Sequence, residues 1–302
     1  MISYDDRINK KIDLSYDILK YIMTYKKIEK SDIGMYLVTL TAFIDYYGPT
    51  FANTIINSYI DTNIIKSRTI KRITKSKLEE KDDGLFTKEF ELDIINNKIF
   101  ATEIQTNIEL LKKKSKLEEL NNFIHEMYHL IKSYNNMIQY ENDFTTVSLR
   151  TGIMEKRIDI FLNKLITNRY TEESINQLQT EDFMNKIFSY SNADIKNKYA
   201  REYLNRIKKE IPSYKAPLSY FGTRNILSNL YYDKKFQREY ESCSIKGNIK
   251  DIYDNFDYYV GDGSFNELSK SIDCYYESKL QDEQAMNKAI KLVVKYKHST
   301  RK

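Results

Sequence analysis

The chain has 302 residues, 48 of them basic and 43 acidic, for a formal net charge of +5 at pH 7. Charge this nearly balanced argues against a dedicated polybasic nucleic-acid arm, and no apolar run approaches the roughly 18–20 residues that a membrane-spanning helix needs. Hydrophobic residues at 41% and aromatic residues at 13% support a folded core, while only 3 prolines and 8 glycines suit a largely helical protein.

In chain order, an amphipathic helix is expected from about Leu14 to Tyr25. Apolar stretches follow at Met35–Tyr47 and Phe51–Ile64, broken at Gly48-Pro49, so that residues 1–66 read as mostly helical. The basic clusters at Lys66–Lys81 and Lys112–Lys116 read as solvated faces. Residues 86–95 and 98–108 alternate as two strands, with Asn96-Asn97 as the tight turn between them. From Lys116 to Ser133, Leu117, Leu120, Phe123, Ile124, Met127, Tyr128, Leu130 and Ile131 predict a strongly apolar helix. A strand is expected at Phe144–Leu149. A second helix is expected to open near Glu155, with Ile158, Phe161, Leu162 and Leu165 as its apolar stripe.

Further helices are expected near Thr180–Phe188, Asn192–Glu210, Leu218–Leu230 and Asn266–Tyr296, separated by Pro212, Pro217 and Gly261-Asp262-Gly263. The pattern predicts an α+β, predominantly helical protein, with an N-terminal part over 1–170 and a helical C-terminal part over 171–302. Cys243 and Cys274 form no CxxC and imply no disulfide framework. The N-terminus mixes charge throughout and does not read as a signal peptide, so a cytoplasmic protein is expected unless a dedicated system exports it.

The most informative residues are His125-Glu126-Met127-Tyr128-His129, two of only 3 histidines in the chain. In this HExxH pattern a helix presents two imidazoles to one zinc ion, because residues i and i+4 share a face. Glu126, one step round the helix, then serves as general base toward the attacking water. A catalytic zinc takes three protein ligands. The remaining histidine, His298, sits in a basic tail near the C-terminus, so a downstream carboxylate is expected instead. Two imidazoles and a carboxylate suit zinc, although other divalent ions use similar donors. Glu155 is the leading candidate, with Asp159 on the same face one turn later. Glu141, Asp143, Glu172 and Glu173 compete for the role. Glu155 and Asp159 also read simply as first-turn carboxylates at a helix N-terminus, with Thr151 or Gly152 near the cap.

His125-Glu126-x-x-His129 followed by Glu155-x-x-x-Asp159 resembles the gluzincin metallopeptidases, the group that includes the thermolysin-like enzymes. The resemblance covers roughly residues 98–168. Their second helix carries Asn-Glu-x-x-x-Asp, in which the glutamate is the third zinc ligand and the aspartate holds the first histidine. The resemblance thus implies Glu155 as ligand and Asp159 as the partner of His125. Met154 stands where the family has asparagine, and Lys156 and Arg157 replace small residues. It also implies a zincin-like fold, with a small mixed sheet, the HExxH helix and a helical C-terminal part closing a cleft. A peptide or protein substrate would lie along Lys98–Ile108 by strand addition. The family's transition-state donor lies outside the motif; Tyr140, Tyr170, Arg224, Tyr231 and Tyr232 are candidates.

A second resemblance, carried by Glu155, Ile158, Phe161 and Leu165 after HExxH, is to cytosolic zinc peptidases that cleave a repressor. A reading from another class is a catalytically silent or toxin-type helical interaction module with a structural HExxH. The basic clusters and the 26 tyrosines are compatible with it.

Overall fold

The computed structural model describes residues 4–24, 27–48, 62–67, 84–111, 113, 115–133, 138–191, 195–213 and 220–301. Among these are ten α-helices and seven strands, an α+β architecture dominated by helix. No described helix is long and apolar enough to cross a membrane. The chain divides into two units: residues 1–89, 104–127 and 180–216 form one, and 90–103, 128–179 and 217–302 the other.

The first unit contains α1 (Tyr4–Met23), α2 (Ile33–Tyr47) and β1 (Thr62–Ser67). α2 is apolar on all sides and is buried from Ile33 to Ile44, as such a helix must be. Its Tyr36 meets Phe123 edge-on, with ring centroids 5.0 Å apart, and its Phe43 lies 4.6 Å from Phe183. β2 (Gly84–Ile95) and β3 (Lys98–Leu111) form the expected hairpin. Asn96 and Asn97 both adopt positive φ, 52° and 57°, which is the signature of a type I′ turn. β1 pairs with β3 in parallel from Thr62↔Thr106 to Ser67↔Leu111, giving the sheet order β1-β3-β2. The expected helical character of residues 1–66 therefore fails at Thr62–Ile64, which are strand. Most of Phe51–Ile64 and of the basic cluster Lys66–Lys81 lies outside the described residues.

α3 (Lys116–Ser133) matches the predicted helix. Its N-terminus is capped twice: Ser115 Oγ accepts from Glu118 N at 3.1 Å, and Glu210 Oε2 accepts from Leu117 N at 3.0 Å. Glu210 ends α5 (Lys198–Glu210), a helix that starts at an Asn197 cap.

In the second unit, β4 (Ile138–Glu141), β5 (Thr146–Thr151), β6 (Met154–Asp159) and β7 (Lys164–Thr167) make an antiparallel meander in sequence order. The helix expected from Glu155 is thus strand β6 and the hairpin after it. Asp159 explains why: its Oδ1 accepts from Phe161 N and Asn163 N, at 2.8 and 2.9 Å, and this local turn competes with helix formation. Of the supposed apolar stripe only Ile158 is buried; Phe161 is 78% exposed. Ile158 instead joins Ile99, Ala101 and Val147 in a small core under the hairpin.

α4 (Arg169–Ser189) begins well before the expected Thr180–Phe188 segment. α6 (Phe221–Tyr231), α7 (Lys234–Lys246), α8 (Ile249–Val260), α9 (Ser264–Glu277) and α10 (Glu283–Thr300) build the C-terminal layer. They pack around Tyr231, Tyr240, Phe256, Phe265 and Tyr296. The single helix expected over Asn266–Tyr296 is two, interrupted where Lys279 and Leu280 adopt positive φ. Cys243 and Cys274 are both thiols.

Candidate metal centre

α3 is a continuous helix, so its period sets His125 and His129 one turn apart on one face. The two histidines are 9% and 4% exposed and Glu126 7%, among Phe123, Ile124, Met127 and Tyr128, which are essentially inaccessible. Polar groups in such surroundings cost stability unless they find partners.

The carboxylate that reaches them is Glu173, on the first turns of α4. Its Oε2 lies 3.2 Å from His129 Nε2. His125, His129 and Glu173 each offer one ligand atom, and these atoms all lie within 4.8 Å of one another. Tetrahedral zinc with bonds near 2.0–2.1 Å requires ligand atoms roughly 3.3 Å apart. The His129–Glu173 pair already meets that spacing at 3.2 Å, and the other pairs lie within 4.8 Å. The donor set, two imidazoles and a carboxylate, is one that zinc accepts.

The residue assigned as third ligand from the sequence lies elsewhere. Glu155 is on β6, opposite Arg150 on β5, with Oε1 3.1 Å from Arg150 Nη2 and 3.3 Å from Arg157 Nε. Burial alone would raise its pKa; hydrogen bonds from Ser148, Arg150 and Arg157 outweigh that and hold it below the usual carboxylate range. Asp159 is committed to its own turn, where Asn163 is the main cause of its lowered pKa. The structure brings neither residue into the histidine group. Of the competing carboxylates, Glu141 joins Arg157 at 3.7 Å, Asp143 sits in the β4–β5 turn at φ 54°, and Glu172 is buried in contacts of its own.

Those contacts adjoin the centre. Lys132 and Glu172, both fully buried, form an ion pair with Nζ–Oε1 2.7 Å. Lys132 also donates to Asn176 Oδ1 at 2.7 Å, while Glu172 Oε2 accepts from Tyr240 OH at 2.6 Å and Ile153 N at 2.9 Å. Burial pulls the Lys132 pKa down, and Glu172 opposes that pull. Gly152 has φ 58°, and a methyl group there would lie 2.4 Å from Glu172 Oε2, so glycine is required on both counts.

Glu126 has a close neighbour of its own. A methyl at Gly84, the first residue of β2, would lie 2.9 Å from Glu126 Oε1, so β2 starts hard against this carboxylate. β3, expected to offer its edge to substrate, is covered: β1 pairs with Thr106–Leu111, Phe144 O accepts from Ile99 N at 2.7 Å, and Tyr140 OH bonds both the N–H and the carbonyl of Ala101. Among the described residues the outer strand next to Glu126 is β2. Tyr140 is thereby committed away from the centre, as is Tyr231, which donates to Glu241 at 2.9 Å.

Sequence reasoning placed only Thr180–Phe188 of α4 in a helix; the first half went unread because buried polar residues, Thr171, Glu172, Ser174, Asn176, Gln177 and Gln179, predominate there. The available signal was Lys132, two turns after His125 on a helix with a strong apolar face, since a buried lysine requires an acid nearby. Compared with known proteins, the chain matches no family model, no curated protein and no solved structure.

Proposed function

We propose that the protein is a zinc-dependent peptidase of zincin type, in which His125, His129 and Glu173 hold the metal and Glu126 is the general base. The observation that carries the reading is the convergence of two HExxH imidazoles and a carboxylate from a second helix within 4.8 Å. Zinc, when bound, supplies a Lewis acid that polarises the scissile carbonyl and makes water a better nucleophile near neutral pH. Glu126 accepts a proton from the attacking water and delivers it to the leaving amine, and its near-complete burial strengthens that exchange. An extended peptide or protein substrate adds to the outer edge of β2 and passes Glu126 beside Gly84; the absent side chain at 84 supports this path. The two thiols fit a cytoplasmic enzyme.

The direct His129–Glu173 contact also favours a second reading, in which it is a buried structural pair of a catalytically silent interaction module. Metal content by mass spectrometry, beside hydrolysis of a fluorogenic peptide library, separates the two. We expect near one zinc per chain, lost in Glu173→Ala and kept in Glu155→Ala and Glu126→Gln. Hydrolysis falls by about 10²–10⁴ in Glu126→Gln. Zinc retained by Glu173→Ala removes the ligand assignment; a folded wild type that takes up no zinc selects the silent module.

A further inference from the structure

We infer that the buried Lys132–Glu172 pair is a positioning device for the metal centre, locking the rotation of α4 so that Glu173 faces His129. This rests on the zinc-site reading above. His125, His129 and Lys132 follow one another at i, i+4 and i+7, so the lysine continues the histidine face by one more turn. On α4, Glu172 and Glu173 are adjacent and diverge by about 100° round the helix. One carboxylate therefore fixes where the other points. Glu172 is held on three sides: by Lys132 at 2.7 Å, by Tyr240 OH at 2.6 Å and by the Ile153 amide at 2.9 Å. Asn176, one turn further along α4, takes a second hydrogen bond from the same ammonium at 2.7 Å. Lys132 thus grips α4 at two points a turn apart, and rotation of α4 about its axis breaks both. Gly152 completes the enclosure, because any side chain there would occupy the space of the Glu172 carboxylate.

Glu173, next to Glu172, meets His129, with Oε2 3.2 Å from Nε2. Its side chain is 17% exposed, against 0% for Glu172. The more exposed carboxylate is the one placed for the metal, and the fully buried one beside it carries the constraint. Hydrophobic packing alone, being non-directional, would not fix α4 to the few degrees that a ligand requires.

The test is the zinc affinity of folded, full-length protein, by competition with a chromophoric chelator, and the visible absorption of the cobalt(II) form. Lys132→Met with Glu172→Gln removes both charges while preserving approximate volume. Tyr240→Phe removes two hydrogen bonds, the one donated to Glu172 and the one accepted from Lys132 at 3.2 Å, and leaves the ring packing in place. Folding is checked for each by circular dichroism. We expect zinc affinity about 10–100-fold weaker in the double variant, the range for residues that orient metal ligands. Tyr240→Phe shifts it in the same direction by a smaller factor, and the cobalt band changes in both. A merely structural pair lowers the melting temperature and leaves affinity and cobalt spectrum at wild-type values; that result in both variants overturns the inference. A folded wild type without zinc uptake overturns the underlying site reading instead.

Discussion

α3 and α4 both contribute to the candidate centre, and their positions are specified by different forces. α3 presents Leu117, Leu120, Phe123, Ile124 and Met127 to the interior, all at 0% exposure, so burial of apolar surface places it. α4 also buries Ile175, Leu178, Phe183, Met184 and Ile187, but in its first half the buried polar residues Thr171, Glu172, Ser174, Asn176, Gln177 and Gln179 outnumber the apolar ones. Apolar burial tolerates small rotations; buried polar groups do not, because each must meet a partner at the right distance and angle. The first kind of helix can be recognised from its own residues. The second is defined by what surrounds it, and the proposed third metal ligand is on the second.

The contrast is tested most severely at Lys132. Lys132→Met leaves the Glu172 charge buried with no cation and is expected to cost about 3–5 kcal/mol in urea denaturation, whereas adding Glu172→Gln returns most of it. Equal losses in the single and double variants would mean that α4 is held by packing, as α3 is. Gly152→Ala comes next, at about 1–3 kcal/mol for a non-glycine residue at φ 58°, with a further loss from displacing Glu172. Gly263 has φ 75° and ψ 1°, with nothing within 4 Å of a methyl group, so Gly263→Ala reports the left-handed backbone part alone. If the two glycine variants lose the same stability, the Glu172 enclosure contributes nothing.

The smallest effect concerns the start of α4, where Asp273 Oδ1 accepts from Tyr170 N at 3.0 Å. Burial raises the Asp273 pKa from 3.8 to about 6. The folded state therefore holds this proton more tightly than the unfolded chain does. Its stabilising contribution is complete below pH 3.8 and is lost as pH rises through about 6. At about 1.4 kcal/mol per pKa unit, discounted for partial exposure, Asp273→Asn should gain about 2 kcal/mol at pH 8. It should gain nothing at pH 3. A gain independent of pH would show that ionisation of Asp273 is not the cause.

Much of the fold was legible for reasons that the comparison makes clear. The β2–β3 hairpin was readable because Asn-Asn specifies its turn locally, and α3 because its apolar pattern is strong. The Glu155 segment misled because Ile158, Phe161, Leu162 and Leu165 have helical spacing, while Asp159 closes a turn through its own side chain. The histidine pair was legible in the same way as α3, being local to one helix. Glu173 was named only among four competing carboxylates, since the contacts that place α4, from Lys132, Tyr240 and Ile153 to Glu172, come from residues that pattern alone does not bring together. Splitting the C-terminal helix at Lys279-Leu280 required two positive φ values at residues that are not glycine, for which composition gives no sign.

The donors lie on two helices with the whole β4–β7 meander between them in the chain. For a chain that holds zinc as proposed, this spacing orders events during folding. An isolated α3 can offer the ion only His125 and His129, a two-point grip that water and buffer readily displace. The third contact arrives only after α4 has docked, so ion capture becomes a clock for late assembly. Stopped-flow refolding with cobalt(II) would therefore show helix formation in the far ultraviolet first and the visible band of the completed chelate last.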